Sequence, residues 1–143
     1  FRNAALANFV RSFNNLDNDV EAVLDFYYHQ CALQMTCVDL ARAFLFLANR
    51  GVCQRSGHAV ISADRAKRIN ALMMTCGTYD AAGEFAFRVG LPVKSGVGGG
   101  IVAVVPNAMT VVVWSPGLDD KGNSLVGAAA LDRFTALTGL SVF

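Results

Sequence analysis

Two valine-rich runs in the last third of the chain constrain its fold more than any other feature. They are Ile101–Val105 and Met109–Trp114, and only residues 106–108, Pro-Asn-Ala, separate them. Two apolar runs joined by so short a turn predict an antiparallel hairpin. Because valine continues through the runs instead of alternating with polar residues, we expect both faces of the hairpin to be covered.

Helical spacing dominates the chain before the hairpin. Apolar residues recur there at intervals of three and four, as on one face of a helix. Three predicted helix caps accompany them: the polar cluster at residues 14–19, a Thr36–Asp39 capping box and Ser62. Gly51 and Gly77 mark helix ends. Residues 1–11 also have a helical composition, and a last helix is predicted from Ser124 to Leu137.

The spacing changes after Gly77. Phe85, Phe87 and Val89 alternate with Ala86 and Arg88, which predicts a half-buried strand. We therefore expect an α+β fold in which residues 1–78 are mainly helical, and residues 79–143 form antiparallel strands and a C-terminal helix packed on the sheet.

The charge balance argues against two classes of partner. The 143 residues carry 12 Lys and Arg against 11 Asp and Glu, a net charge of +1, with no basic run, so we expect no nucleic-acid partner. The longest aliphatic stretch, Ile101–Val105, is too short to cross a bilayer, so we expect no membrane association. A hydrophobic fraction of 54% with 16% charged residues indicates either a heavily buried domain or, as we favour, a domain that further chain covers.

The cysteines and histidines show no pattern of a metal site or a Ser-His-Asp triad. The four cysteines are Cys31, Cys37, Cys53 and Cys76, without a CxxC pair, and the two histidines are His29 and His58. We expect buried free thiols in a reducing compartment, a cytoplasmic location, and neither a metal nor a cofactor.

A glycine-rich run extends from Lys94 to Gly100, with the sequence Lys-Ser-Gly-Val-Gly-Gly-Gly. It fits neither GxxxxGK nor GxGxxG, because no lysine follows its last glycine and Ile101 stands where GxGxxG needs a glycine. Two interpretations remain from composition: a flexible turn, or a loop that aims backbone N–H groups at an anion or oxyanion. The triplet Lys94-Ser95-Gly96 resembles the Lys-Thr/Ser-Gly motif of penicillin-recognising serine enzymes.

Two tyrosines are candidates for chemistry. Tyr79 follows a helix end, and its hydroxyl could act as a general acid or base beside Lys94, although a tyrosine there is also a common structural feature. Tyr27 shares a helical face with Val20, Leu24 and Cys31, which favours a core ring when the pattern is taken alone.

Several segments together resemble the bacterial and mitochondrial glutaminases over all 143 residues. They are residues 25–31 (DFYYHQC), 76–80 (CGTYD), 87–100 (FRVGLPVKSGVGGG), 114–116 (WSP) and 122–124 (GNS). The resemblance implies the C-terminal half of a glutaminase with a β-lactamase/transpeptidase-like fold. It also implies hydrolysis of L-glutamine to L-glutamate and ammonia through a serine acyl-enzyme, formed by a Ser-x-x-Lys pair.

No serine of this chain has a lysine three positions on, so the resemblance implies that the nucleophile and its lysine lie upstream. It further implies that Asn3 and Tyr27 bind substrate, and that Tyr79 binds substrate and passes a proton to the departing ammonia. Val97 would give its backbone N–H to the oxyanion hole, and Lys94 would add positive potential. The expected partners are L-glutamine, the N-terminal half of the same protein and further copies in a homo-oligomer.

Two alternatives to a glutaminase remain open. A β-lactamase or transpeptidase would use the same Lys-Thr/Ser-Gly strand, since a fold does not fix a function. The 143 residues could also be a non-catalytic fragment or docking module, and we expect the isolated chain to be inactive.

Overall fold

The computed structural model describes all residues, 1–143, in two compact units, Phe1–Gln34 and Met35–Phe143. The helices are α1 Arg2–Ser12, α2 Val20–Cys31, α3 Cys37–Ala48, α4 Ala63–Cys76, α5 Ala82–Arg88 and α6 Leu125–Thr138. The strands are β1 Val93–Ser95, β2 Gly100–Val105 and β3 Met109–Trp114, and a 3-10 turn covers Tyr79–Ala81. No helix is both long and apolar enough to span a membrane.

The first unit is a pair of helices, α1 and α2. Asp19 caps α2, because its carboxylate accepts hydrogen bonds from the N–H groups of Glu21 and Ala22 at 3.0 and 3.2 Å. Val20 and Leu24 are buried in α2, whereas α1 buries none of its residues.

The second unit has a three-stranded antiparallel sheet in the order β1-β2-β3, with helices on both faces. Ile101, Ala103 and Val105 of β2 pack in one cluster with residues of α5 and α6. Val104 points the other way and packs with residues of α3 and α4. Successive side chains of a strand point to opposite faces, so a strand covered on both sides has no polar alternation.

The hairpin prediction is confirmed, and the expectation of cover on both faces holds for one strand of the two. Ile101 to Val105 are all buried in β2, whereas the β3 residues are half-buried or exposed. The difference follows from position, because β2 is the central strand and β3 lies at the edge of this sheet.

The predicted helix caps are present. Thr36 and Asp39 form a reciprocal capping box at the start of α3, and the Ser62 hydroxyl accepts the Arg65 N–H at 3.3 Å. The Ser124 hydroxyl accepts the Gly127 N–H at 3.2 Å and so begins α6. Helix α3 ends at Ala48, before the predicted end at Gly51.

The strand predicted from Phe85, Phe87 and Val89 is wrong, because this segment is α5. Phe85 is 6% exposed and Val89 is 3% exposed, whereas Phe87 is 91% exposed. Residues four apart share a helix face, so Phe85 and Val89 enter the core together and Phe87 points away. Burial of one helix face in the second unit therefore outweighs the two-residue alternation, and this short segment is a helix.

The expectation of buried thiols is also wrong. All four cysteines are free, but Cys31, Cys37 and Cys76 are exposed and Cys53 is half-buried. The three exposed cysteines are the last residue of α2, the first of α3 and the last of α4. A residue at a helix end is less covered by neighbouring residues than one in the middle of an apolar helix face. The spacing of the apolar residues did not distinguish these two positions.

Candidate active site

The end of α4 is held directly against β1. The Ser95 N–H donates to the Gly77 carbonyl at 3.0 Å, and a Cβ on Gly77 would overlap the carbonyl oxygens of Val93 and Met73. Only glycine fits so close an approach of helix and strand. The turn that carries Tyr79 therefore begins beside the strand that carries Lys94.

The glycine-rich run forms a tight loop between β1 and β2. The Gly96 N–H donates to the Gly100 carbonyl and the Gly99 N–H to the Gly96 carbonyl, both at 2.9 Å. The indole N–H of Trp114 donates to the Gly98 carbonyl at 2.9 Å and fixes the loop against the end of β3. The N–H groups of Val97 and Gly98 have no acceptor within the chain.

Lys94 and Tyr79 are in contact. The Lys94 ammonium lies 5.0 Å from the centroid of the Tyr79 ring, within the range of a cation–π interaction, and donates to the Ser95 carbonyl. Partial burial holds the pKa of Lys94 below its usual value, and the neighbouring Cys76 offsets part of that effect. A cation therefore stands against the tyrosine face, although Lys94 is the exposed residue of β1.

Gly122 brings the glycine loop and the tyrosine turn together. A Cβ on Gly122 would lie 3.7 Å from a ring carbon of Tyr79 and 3.7 Å from a methyl group of Val97. Gly122 has a φ of +89°, in the left-handed region that favours glycine. The structure thus places Tyr79, Lys94 and Val97 on one side of the second unit.

The two other predicted site residues lie in the first unit. Asn3 is exposed in the first turn of α1. Tyr27 is 49% exposed on α2, and its ring centroid lies 6.1 Å from that of Tyr28. The interpretation of Tyr27 as a core ring is therefore wrong for these 143 residues, because its helix position leaves half of the side chain open.

The cluster in the second unit offers a phenol, a cation and two unpaired backbone donors around one surface. A phenol can donate and accept a proton, and unpaired N–H groups stabilise a developing oxyanion. The sequence patterns assign no role to Trp114 or Gly122, although Trp114 fixes the glycine loop and Gly122 lies against Tyr79 and Val97. They also assign none to Asn123, whose side-chain N–H donates to the carbonyl of Thr78, next to Tyr79. Residues 114–116 and 122–124 contributed to the family resemblance, and that was the available signal.

Comparison with known proteins identifies the family. The profile of the Glutaminase family matches residues 1–143. The glutaminase of Rhizobium meliloti (strain 1021) is 62% identical over 143 residues, which are 100% of this chain and 45% of that protein. The glutaminase of Streptomyces coelicolor is 62% identical over 142 residues, covering 99% of this chain and 46% of that protein.

A solved structure agrees with the sequence comparison. It is the covalent complex between the Bacillus subtilis glutaminase YbgJ and 5-oxo-L-norleucine, formed by reaction with 6-diazo-5-oxo-L-norleucine. Its TM-score is 0.95 at 40% identity, and the match covers 99% of this chain and 51% of that one.

These similarities define the class: an α+β protein with part of the β-lactamase-like fold of the glutaminases. The chain belongs to the glutaminase family. It spans about half the length of the relatives that it matches, in their C-terminal part.

Proposed function

We propose that this chain is the C-terminal part of a glutaminase that hydrolyses L-glutamine to L-glutamate and ammonia. The observation that carries the proposal is that, in a member of this family, the Tyr79 ring lies against the Lys94 ammonium and close to Gly122, which also lies close to the Val97 side chain. The ligand of the B. subtilis complex has a carbonyl at carbon 5, where glutamine has its side-chain amide. That chemistry supports glutamine as the substrate.

In the proposed reaction, the upstream serine and lysine, Val97, Lys94 and Tyr79 each have a stated role. A serine hydroxyl, activated by the lysine of an upstream Ser-x-x-Lys pair, attacks the side-chain amide carbon of glutamine. The Val97 N–H donates to the oxygen that becomes negative, and Lys94 adds positive potential nearby. The Tyr79 hydroxyl passes a proton to the departing nitrogen, which leaves as ammonia. Water then attacks the ester and releases glutamate, returning a proton to Tyr79, while the lysine returns its proton to the serine oxygen. Asn3 and Tyr27 are proposed as substrate contacts from the resemblance.

The test uses a hybrid enzyme, defined here as residues 1–143 joined to the N-terminal segment of the R. meliloti relative. We expect the hybrid enzyme to release ammonia from L-glutamine, and the isolated 143 residues to release none, because no serine of this chain precedes a lysine at the required spacing. A folded hybrid without turnover would contradict the glutaminase proposal.

The same assay distinguishes the alternatives. Hydrolysis of a chromogenic β-lactam by the hybrid, without ammonia release from glutamine, would favour the β-lactamase interpretation. Sustained turnover by the isolated 143 residues would show that this chain contains a nucleophile of its own.

We also propose that an N-terminal segment and further copies of the protein cover apolar surface of this chain. Exposed apolar residues support this proposal, namely Leu6 and Phe9 of α1 and Phe13 directly after it, since large exposed apolar patches usually mark interfaces. Four free cysteines are consistent with the proposed cytoplasmic location. Light scattering after size exclusion tests the oligomer, and a hybrid that elutes as a monomer would contradict it.

A further inference from the structure

Tyr79 has an unusual backbone conformation. Its φ is +53°, in the left-handed region that a bulky residue rarely occupies. Such a conformation persists only when the surrounding structure holds it. The residue that carries the proposed proton transfer therefore depends on neighbours that fix its backbone.

The Thr78 carbonyl, in the adjoining peptide, accepts two hydrogen bonds. One comes from the Ala81 N–H of the 3-10 turn at 3.1 Å, and Asn123 makes the other. Its side-chain N–H donates to the Thr78 carbonyl at 3.3 Å, and Asn123 and Thr78 are both fully buried. The Thr78 carbonyl belongs to the peptide plane that leads into Tyr79, and φ of Tyr79 is the rotation measured from that plane. A hydrogen bond to this carbonyl consequently restrains the direction of the Tyr79 side chain.

The backbone of Asn123 is itself held firmly. The Asp119 carboxylate accepts the Asn123 N–H at 2.8 Å and the Lys121 N–H at 3.0 Å, and the Asp119 N–H donates to the Asn123 carbonyl at 2.8 Å. The next residue, Ser124, caps α6 and donates to the Ser115 carbonyl at 2.9 Å. The loop between β3 and α6 is thus a rigid support for the tyrosine turn.

We propose that Asn123 is a positioning residue for Tyr79, whose hydroxyl it aims by holding the Thr78–Tyr79 peptide. Its neighbour Gly122 faces both the Tyr79 ring and a Val97 methyl group, since a Cβ there would lie 3.7 Å from each. This inference rests on the proposed glutaminase function and adds to it a residue that does not touch the substrate.

The kinetic test compares Asn123→Ala in two backgrounds of the hybrid enzyme. A misplaced catalytic group loses on the order of 100-fold in rate, so we expect kcat to fall by about that factor. If Asn123 acts through Tyr79, the same change should have little further effect in a Tyr79→Phe background. An equal loss in both backgrounds, or no loss in the first, would overturn the proposal.

Asn70 offers a matched control. It is another asparagine whose side-chain N–H donates to a backbone carbonyl, that of Leu47 at 3.2 Å, and like Asn123 it has an unpaired buried side-chain oxygen. We expect Asn70→Ala to leave kcat unchanged. If Asn123→Ala does not fold, Asn123→Asp is the second variant, because it keeps the shape of the side chain. Its ionised carboxylate cannot donate to the Thr78 carbonyl, whereas the protonated form can. The kcat of Asn123→Asp relative to the parent should therefore rise as the pH falls.

A second measurement does not depend on turnover. With 3-fluorotyrosine in the hybrid, the resonance of residue 79 is the one that Tyr79→Phe removes. We expect Asn123→Ala to shift or broaden that resonance and Asn70→Ala to leave it in place. An unchanged resonance in Asn123→Ala would refute the positioning role, even if the hybrid enzyme is inactive. A hybrid without substitutions that folds but has no turnover would refute only the glutaminase proposal.

Discussion

The hydroxyl of Tyr79 is the group on which the proposed proton transfer to ammonia depends. In the hybrid enzyme, Tyr79→Phe keeps the ring that faces Lys94 and removes only the proton donor. General acid–base groups contribute about 10²- to 10⁴-fold, so we expect kcat to fall by at least about 100-fold. Thermal unfolding should be unchanged, and turnover equal to that of the parent would show that another group supplies the proton.

Gly77 joins helix α4 to strand β1 without space for a side chain. In Gly77→Ala the new methyl group would overlap the Val93 carbonyl, so we expect a loss of about 3 kcal/mol in the free energy of unfolding. Gly83 in α5 is the matched control, because a Cβ there meets nothing. Chemical denaturation should show Gly83→Ala neutral or stabilised by up to about 1 kcal/mol, and equal effects at both glycines would contradict the close approach.

The family resemblance predicted which residues form the candidate site, whereas composition and spacing alone left this open. Composition left the loop at residues 94–100 open between a flexible turn and an oxyanion loop, and it left Tyr79 open between a general acid or base and a structural residue. Only the family resemblance chose between these interpretations and singled out Val97. Asn123 was missed because its partner, the Thr78 carbonyl, lies 45 residues earlier in the chain. A single sequence does not show which buried asparagine bonds to which distant carbonyl.

Helix α5 is the element in which packing decides the structure, and two phenylalanines on it give a direct test. Phe85 is 6% exposed and Phe87 is 91% exposed. We expect Phe85→Ala to lower the free energy of unfolding by about 3–5 kcal/mol, whereas Phe87→Ala should change it little. Similar losses at both positions, measured by chemical denaturation, would restore the predicted strand.

The reason that α5 was not predicted lies in its length. Seven residues are too few for helical periodicity to dominate a two-residue alternation. The helix is supported by contacts that are distant in sequence, such as the ion pair of Arg88 with Asp132 of α6 at 2.6 Å. Longer elements with capping residues, such as α3 and α4, were predicted because their signals are local.

The cap of α3 gives the second unit a dependence on pH. Hydrogen bonds from the Thr36 side chain and backbone lower the pKa of the Asp39 carboxyl, with a smaller contribution from Arg42. A lowered carboxyl pKa contributes stability above the unfolded value, near 4, that is lost as the pH falls through the folded value. We expect Asp39→Asn to be less stable than the parent at neutral pH, and the difference to shrink below about pH 4 in thermal unfolding.

The control for this pH dependence is Asp64 of α4, an exposed acid whose side chain pairs with Arg68 and makes no capping box. If Asp64→Asn and Asp39→Asn show the same dependence on pH, the capping box is not its cause.

At the level of the whole molecule, the α+β class, the hairpin and the terminal helix were predicted from the change in hydrophobic spacing and from the caps. Placement of helices on both faces of β2 followed from its lack of alternation. What the sequence did not reveal is the division into two units and the exposure of the thiols. The division into units and the exposure of the thiols both depend on which surfaces pack against distant segments, and local sequence patterns carry little information about such packing.

Strand β2 lies between β1 and β3, and helices cover both of its faces. Water therefore reaches its backbone only when the second unit unfolds. Its amide hydrogens should consequently be the last of the second unit to exchange with deuterium, at the rate of global unfolding rather than of local opening. Mass spectrometry of a peptide covering residues 100–105 would then follow the integrity of that unit. Destabilising changes far from the strand, such as Phe85→Ala, should accelerate the same signal.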